Sequence, residues 1–202
     1  MISQPSNPNQ TGFSLTSNGT FTPAIPEITG GHLVLTRDVN SQQGTIILDD
    51  LDAGALIEGF TATFKLQIGP GSYYPADGLA FCFAPGIDST SNFGEDGTGT
   101  GVIVSFDIYD NGGGEAPAVD VIFGGNTIAT TKYAKEDMAT GVFEDVRIQV
   151  TANSHDFAAS ALRRGSPDLV LKSAALFPIP PDWPHGQPAS APRKTGRFAF
   201  TL

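Results

Sequence analysis

The sequence predicts an all-β protein, an antiparallel sandwich folded as one domain over residues 1–202, with residues 1–10 loosely ordered. Three observations predict it. Segments 59–68 and 146–151 alternate apolar and polar residues with a period of two, as a strand does when one face is buried and the other is wet. Segments 79–84 and 102–108 are almost continuously apolar, the pattern of central strands covered on both faces. The chain contains 24 glycines and 15 prolines, and only 16% of its residues are charged, which favours strands and turns over coiled coils and long solvated helices.

The elements follow in order. Residues 12–15, 32–37 and 45–48 are short β runs separated by turn formers. In 59–68, Phe60, Ala62, Phe64, Leu66 and Ile68 face one side and Thr61, Thr63, Lys65 and Gln67 the other. The central strands 79–84 and 102–108 come next, followed after Pro117 by 119–123, 126–133 and 142–151. In the last of these Val146, Ile148 and Val150 point inward. Residues 157–162 carry helix-forming alanines, but the Gly, Ser, Pro and Asp cluster that follows predicts a hairpin of 157–162 with 169–172. Pro178, Pro180, Pro181, Pro184, Pro188 and Pro192 exclude a regular element over 174–192, where Trp183 pins the segment or offers a flat ring to a ligand. Residues 196–202 form a last strand.

Charge and composition remove several function classes. With 21 acidic against 11 basic residues the net charge is −10, and the tight basic pairs are Arg163-Arg164 and Arg193-Lys194, so no nucleic acid partner is expected. Cys82 is the single cysteine, which excludes an intrachain disulfide or a cysteine zinc site; its apolar neighbours make it a buried strand residue. His32, His155 and His185 are too far apart in sequence for a His-x-x-x-His metal pair. No run approaches about 18 apolar residues, so no membrane insertion is expected. The first residues lack the basic-then-apolar order of a secretion signal. Asn18-Gly19-Thr20 is a glycosylation sequon, meaningful only in a secreted eukaryotic protein.

Two segments carry chemistry. Pro75-Ala76-Asp77-Gly78-Leu79-Ala80-Phe81 precedes Val104-Ser105-Phe106-Asp107-Ile108-Tyr109-Asp110-Asn111 by about 30 residues. Asp107 and Asn111 lie four apart at a strand end with the Tyr109 carbonyl between them, so three oxygens can converge on a hard cation such as Ca2+. The same residues can instead form an Asx turn that only satisfies backbone N–H groups. Gly112, Gly113 and Gly114 then allow a mobile loop or a tight one.

In this order the two segments resemble the heart of the legume-type (L-type) lectins, with weaker similarity over residues 10–202. The resemblance implies a concanavalin A-like jelly roll, one that lacks the family's usual last strand. Either that strand is dispensable or the edge so left open is covered, in an oligomer or by a larger parent protein. It also implies that Asp77, after a cis Ala76–Asp77 peptide, reads two sugar hydroxyls. Asn111 would serve both ion and sugar, and the loop from Gly94 to Gly101 would donate an amide from Gly97 or Gly99. Tyr109 would stack on the pyranose, with Tyr73 and Tyr74 at the loop edge. The implied calcium ligands are Asp107, the Tyr109 carbonyl, Asn111 and Glu115, with Asp110 or Asp120 as replacements because Glu115 lengthens one arm.

Departures narrow the reading. Ser105 stands where the family has a transition-metal Glu, and no His follows the loop, so Mn2+ is not expected. Glucan hydrolases on the same sandwich carry two catalytic Glu flanking an Asp, and a retaining mechanism needs both carboxyls. Here Ser105 and Tyr109 occupy those places, so no enzyme is expected. The sequence therefore predicts a non-catalytic, calcium-assisted carbohydrate-binding module for a glycan or polysaccharide, extracellular or at the cell surface. The alternative is a structural or adhesion sandwich with a degenerate sugar site.

Overall fold

The computed structural model describes residues 13–17, 27–48, 59–69, 76–85, 87, 94–152, 157–163 and 196–201. The expected strand 169–172, the proline-rich segment with Trp183, and Tyr73 and Tyr74 lie outside the described residues.

Among the described residues the elements are β1 (Phe13–Ser17), β2 (Glu27–Thr29), β3 (His32–Val34), β4 (Gly44–Leu48), β5 (Gly59–Leu66), β6 (Gly78–Pro85), β7 (Val102–Asp107), β8 (Ala118–Phe123), β9 (Asn126–Lys132), α1 (Lys135–Met138), β10 (Glu144–Ala152), β11 (Phe157–Arg163) and β12 (Gly196–Thr201). They form a seven-stranded sheet in the order β1-β4-β12-β6-β7-β8-β9, a three-stranded sheet β11-β10-β5 and the hairpin β2-β3. Each strand pair is antiparallel. The architecture is the predicted antiparallel β-sandwich.

The core between the two large sheets follows from the alternation. Phe60, Ala62, Phe64 and Leu66 of β5 pack against a buried cluster that includes Phe81, Phe83, Val104, Phe106, Val121, Val146 and Ile148. Phe60 meets Phe83 edge-on with ring centroids 4.8 Å apart, and Phe64 stacks on Phe81 at 6.2 Å. Burying side chains of this size contributes roughly 1.5–3 kcal/mol each, so this seam sets the sheet-to-sheet register. A cavity of about 10 Å³ beside Leu66, Ile68, Phe106 and Met138 is no larger than a water site.

The seven-stranded sheet has a second buried face. Strand period sends Leu79, Phe81 and Phe83 inward, while Ala80, Cys82 and Ala84 of β6 join Ile47, Ile87 and Ile103 in a separate cluster on the opposite side. All six residues of β7 are buried. This double cover explains why 79–84 and 102–108 lack an apolar–polar alternation.

Three local features differ from the sequence expectation. The strand over 32–37 stops at Val34, and β2 joins it as a hairpin tied by the Arg37–Glu27 ion pair at 2.5 Å and by stacking of His32 on Phe143 at 4.7 Å. Residues 135–138 form a single helical turn whose Met138 is buried; four residues are too few to display a 3.6-residue period. The last inward-alternating strand begins at Glu144 rather than 142.

Candidate functional site

The site grows from the pairing of β6 with β7. Gly78 lies opposite Asp107 and Ala80 opposite Ser105, so Asp77 enters the sheet where Asp107 leaves it. A Cβ at Gly78 would sit 2.4 Å from the Phe106 carbonyl oxygen, so only glycine permits this approach. One more backbone bond extends the ladder, with the Ile108 N–H donating to the Asp77 carbonyl at 3.0 Å. The Ala76–Asp77 peptide is cis, as the resemblance implies, and Asp77 is exposed.

Strand alternation puts Ser105 and Asp107 on the outer face of β7, with Asp120 of β8 opposite Ser105. Asp107 is 6% exposed, and its Oδ1 accepts the Tyr109 N–H at 3.0 Å. It therefore does make an Asx turn, using one of its two oxygens. Burial pushes its carboxyl up; the Tyr109 amide opposes that, and the fields of Asp96, Glu115 and Asp120 add to it. Asp120 accepts the Thr130 hydroxyl at 2.5 Å.

Beyond Asp107 the chain runs through an exposed loop carrying Tyr109 and Asn111. Asp110 organises it, its Oδ1 accepting the N–H groups of Gly112 at 2.9 Å and Gly114 at 3.1 Å. A hydrogen-bonding contact with Glu115 and these amides hold the Asp110 carboxyl below its ordinary range. Both Glu115 carboxyl oxygens are shielded from solvent and face the Asp110 carboxyl rather than an amide or a cation, while Lys132 Nζ donates to the Glu115 main-chain carbonyl instead. Two carboxyls set against each other destabilise the fold when both are ionised, unless a cation or a shared proton neutralises the pair. Hard oxygens from Asp107 and Glu115, an amide and a carbonyl suit Ca2+ in kind. Among the described residues no three His, Cys, Asp or Glu side chains gather as a metal site; the predicted set contains two carboxylates.

A second loop, 94–101, lies on the outer face of β6. The Gly97 N–H donates to the Gly94 carbonyl at 2.9 Å, closing a turn. Gly97 has φ +75°, and a Cβ there would be 2.7 Å from both Cys82 Sγ and Ile103 Cγ2; at Gly99 it would be 2.6 Å from Ala84 Cβ. Two side chains tether the loop. Ser105 Oγ donates to the Glu95 carbonyl at 2.8 Å, and Cys82 Sγ accepts the Thr98 N–H at 3.3 Å. Burial pushes the Cys82 thiol up to about 11, so it stays neutral.

Glu95 is the residue that sequence reasoning missed. Burial and the neighbouring Asp77, Asp96 and Asp107, together with a hydrogen bond to Asp77, push its carboxyl up to about 7. Its place in a Gly-rich run was visible, but no spacing linked it to Asp77. The structure thus brings Asp77, Asp107 and the 94–101 loop together, and sets Glu115 in the field of Asp107. Tyr109 and Asn111 remain exposed above them.

No protein-family profile matches the sequence, and no curated protein is detectably similar to it. Solved structures are similar. Peanut lectin with a nonamer peptide superposes with a TM-score of 0.63 at 17% identity, covering 98% of this chain and 86% of that one. The VIP36 exoplasmic/lumenal domain in its Ca2+/Man3GlcNAc-bound form gives 0.60 at 12% identity, covering 96% and 79%. Lectin I-B4 from Griffonia simplicifolia, metal-free, gives 0.58 at 16%, covering 98% and 87%. At these identities the likeness concerns architecture. The chain has the β-sandwich fold of the legume-type lectins.

Proposed function

We propose that this chain is a non-catalytic, calcium-assisted carbohydrate-binding module of an exported or cell-surface protein. Asp77 accepts hydrogen bonds from two sugar hydroxyls, Asn111 contributes its amide, and Tyr109 presents its exposed ring to the pyranose. Asp107, the Tyr109 carbonyl, Asn111 and Glu115 hold the calcium ion. Of the two glycines considered, Gly97 spends its N–H on Gly94, so Gly99 is the donor we assign. The observation that carries the reading is the Ile108 N–H to Asp77 carbonyl bond, which sets two motifs distant in sequence side by side. VIP36 structures of this fold with Ca2+ and mannose-containing ligands support such a use.

One observation favours a second reading, a structural or adhesion sandwich whose sugar site is lost. The Glu95 carboxyl lies against Asp77 and occupies an acceptor that a sugar would need. Glycan-array and calorimetric binding, with and without chelator, separate the two. Lectin function predicts binding that chelation abolishes and that Asp77→Ala weakens about a hundredfold, the cost of two hydrogen bonds to a charged acceptor. Equal binding by Asp77→Ala would refute the site, and no binding to any glycan would favour the second reading.

A further inference from the structure

We infer that Ser105 and Cys82 are positioning residues of the sugar site, clamping the 94–101 loop to the sheet so that the Gly99 amide is held in place without help from a metal ion. The inference rests on the function proposed above and adds a division of labour within the site. Ser105 is 1% exposed and Cys82 fully buried, both on the outer face of β6 and β7, where Ala80, Ala84 and Ile103 are their apolar neighbours. A hydroxyl in such a row is costly unless it is bonded. Ser105 meets that need by donating to the Glu95 carbonyl at 2.8 Å, and Cys82 receives the Thr98 N–H at 3.3 Å. The two bonds hold the loop on either side of Gly97, where an added Cβ would run into the same cysteine and Ile103. Neither contact involves Asp107, Asn111 or Glu115. Loop position is therefore a property of the chain, set at the β6–β7 pair before any ion or sugar arrives.

Hydrogen exchange on the whole protein, read in peptides covering 94–101, β6 and β7, tests the clamp. Affinity for an array of mannose-, glucose- and galactose-terminated oligosaccharides, measured alongside, tests its role. In the wild type, chelator should leave exchange in 94–101 unchanged. Ser105→Ala and Cys82→Ala should each speed it about tenfold, the worth of one such hydrogen bond with its partner left unsatisfied, and weaken glycan binding about tenfold. Exchange in β6 and β7 should stay at the wild-type rate, and Ser105→Thr, which keeps the hydroxyl, should restore both readouts. The inference is overturned if both alanine variants exchange like the wild type, if they exchange faster with unchanged affinity, or if chelation alone frees the loop. Wild-type protein that captures none of these glycans would refute the proposed function, while the exchange comparison still decides whether the clamp exists.

Discussion

The two loops that flank Asp77 are both rich in glycine, yet they are held by opposite means. In 94–101 the glycines are packing residues: a Cβ at Gly97 or Gly99 would overlap side chains of β6 and β7, and Ser105 and Cys82 bond the backbone between them. In 112–114 the glycines also have positive φ, but a Cβ at Gly112 or Gly114 would meet nothing within 4 Å. At Gly113 it would meet only the tip of Glu115, at 3.8 Å. That loop is shaped by Asp110 and ends on Glu115, whose carboxyl faces that of Asp110. Glycine content alone therefore says little about rigidity; what lies beneath the glycine decides it. One loop is complete as folded, and the other leaves negative charge to be neutralised.

The most direct way to break this contrast is the same substitution in both loops. Gly97→Ala must move Cys82 Sγ and Ile103 Cγ2 and strain a left-handed backbone, at a cost of about 3 kcal/mol. Gly113→Ala pays the backbone term alone, about 1 kcal/mol. For a chain of this size the melting temperature should fall by about 6–12 °C in the first variant and about 2–4 °C in the second. Equal losses would mean that the 94–101 loop is not docked as described.

A smaller effect, and one of opposite sign in the two ionic conditions, is expected at Glu115. Without divalent ions, Glu115→Gln removes one of the acidic charges gathered with Asp110 and Asp107 and should raise stability by about 1 kcal/mol. With calcium at a hundred times its dissociation constant the wild type should gain about 2.7 kcal/mol, whereas the variant, having lost a ligand, should gain little. Thermal unfolding of both proteins in chelator and in calcium reads the crossing. Parallel curves would remove Glu115 from the ion site and leave Asp110 or Asp120 to supply the fourth ligand.

How much of this was legible in the sequence depends on the range of the interaction. The alternation in β5 and β10 reports burial of one face against a facing sheet, so those strands were read nearly to their ends. The continuous apolar runs of β6 and β7 announced two covered faces, but not that the second cover is the 94–101 loop. That fact resides in the small side chains of Ala80, Cys82 and Ala84, which alone could equally be a weak strand. Asp77 and Asp107 were found through their motifs, and their adjacency follows from one antiparallel pairing. Glu95 was not found, because its meeting with Asp77 exists only once Ser105 has drawn its loop to the sheet. Strand β2 and helix α1 span three and four residues, too short for any period to appear.

Glu95 also supplies the smallest and most specific test, since it is where the docked loop meets the acidic half of the site. Its carboxyl is raised from 4.5 to about 7, first by burial and then by Asp77, Asp96 and Asp107, with a hydrogen bond to Asp77 that needs the proton. The folded protein thus holds this proton more tightly than the unfolded chain does. Below the unfolded value the group is protonated in both states and its contribution is fully present. As pH rises through the interval from 4.5 to 7 the unfolded chain ionises first, stability falls, and above about 7 the loss is complete. Glu95→Gln should flatten the slope of unfolding free energy against pH across that interval and leave the curve above it parallel to the wild type. Gln can still donate a hydrogen bond to Asp77, so the difference isolates the charge. The effect should be modest, because the carboxyl remains partly hydrated. A variant whose pH profile superimposes on the wild type would mean that the folded protein does not hold the Glu95 proton more tightly than the unfolded chain, and that the loop does not meet the acidic half of the site as described.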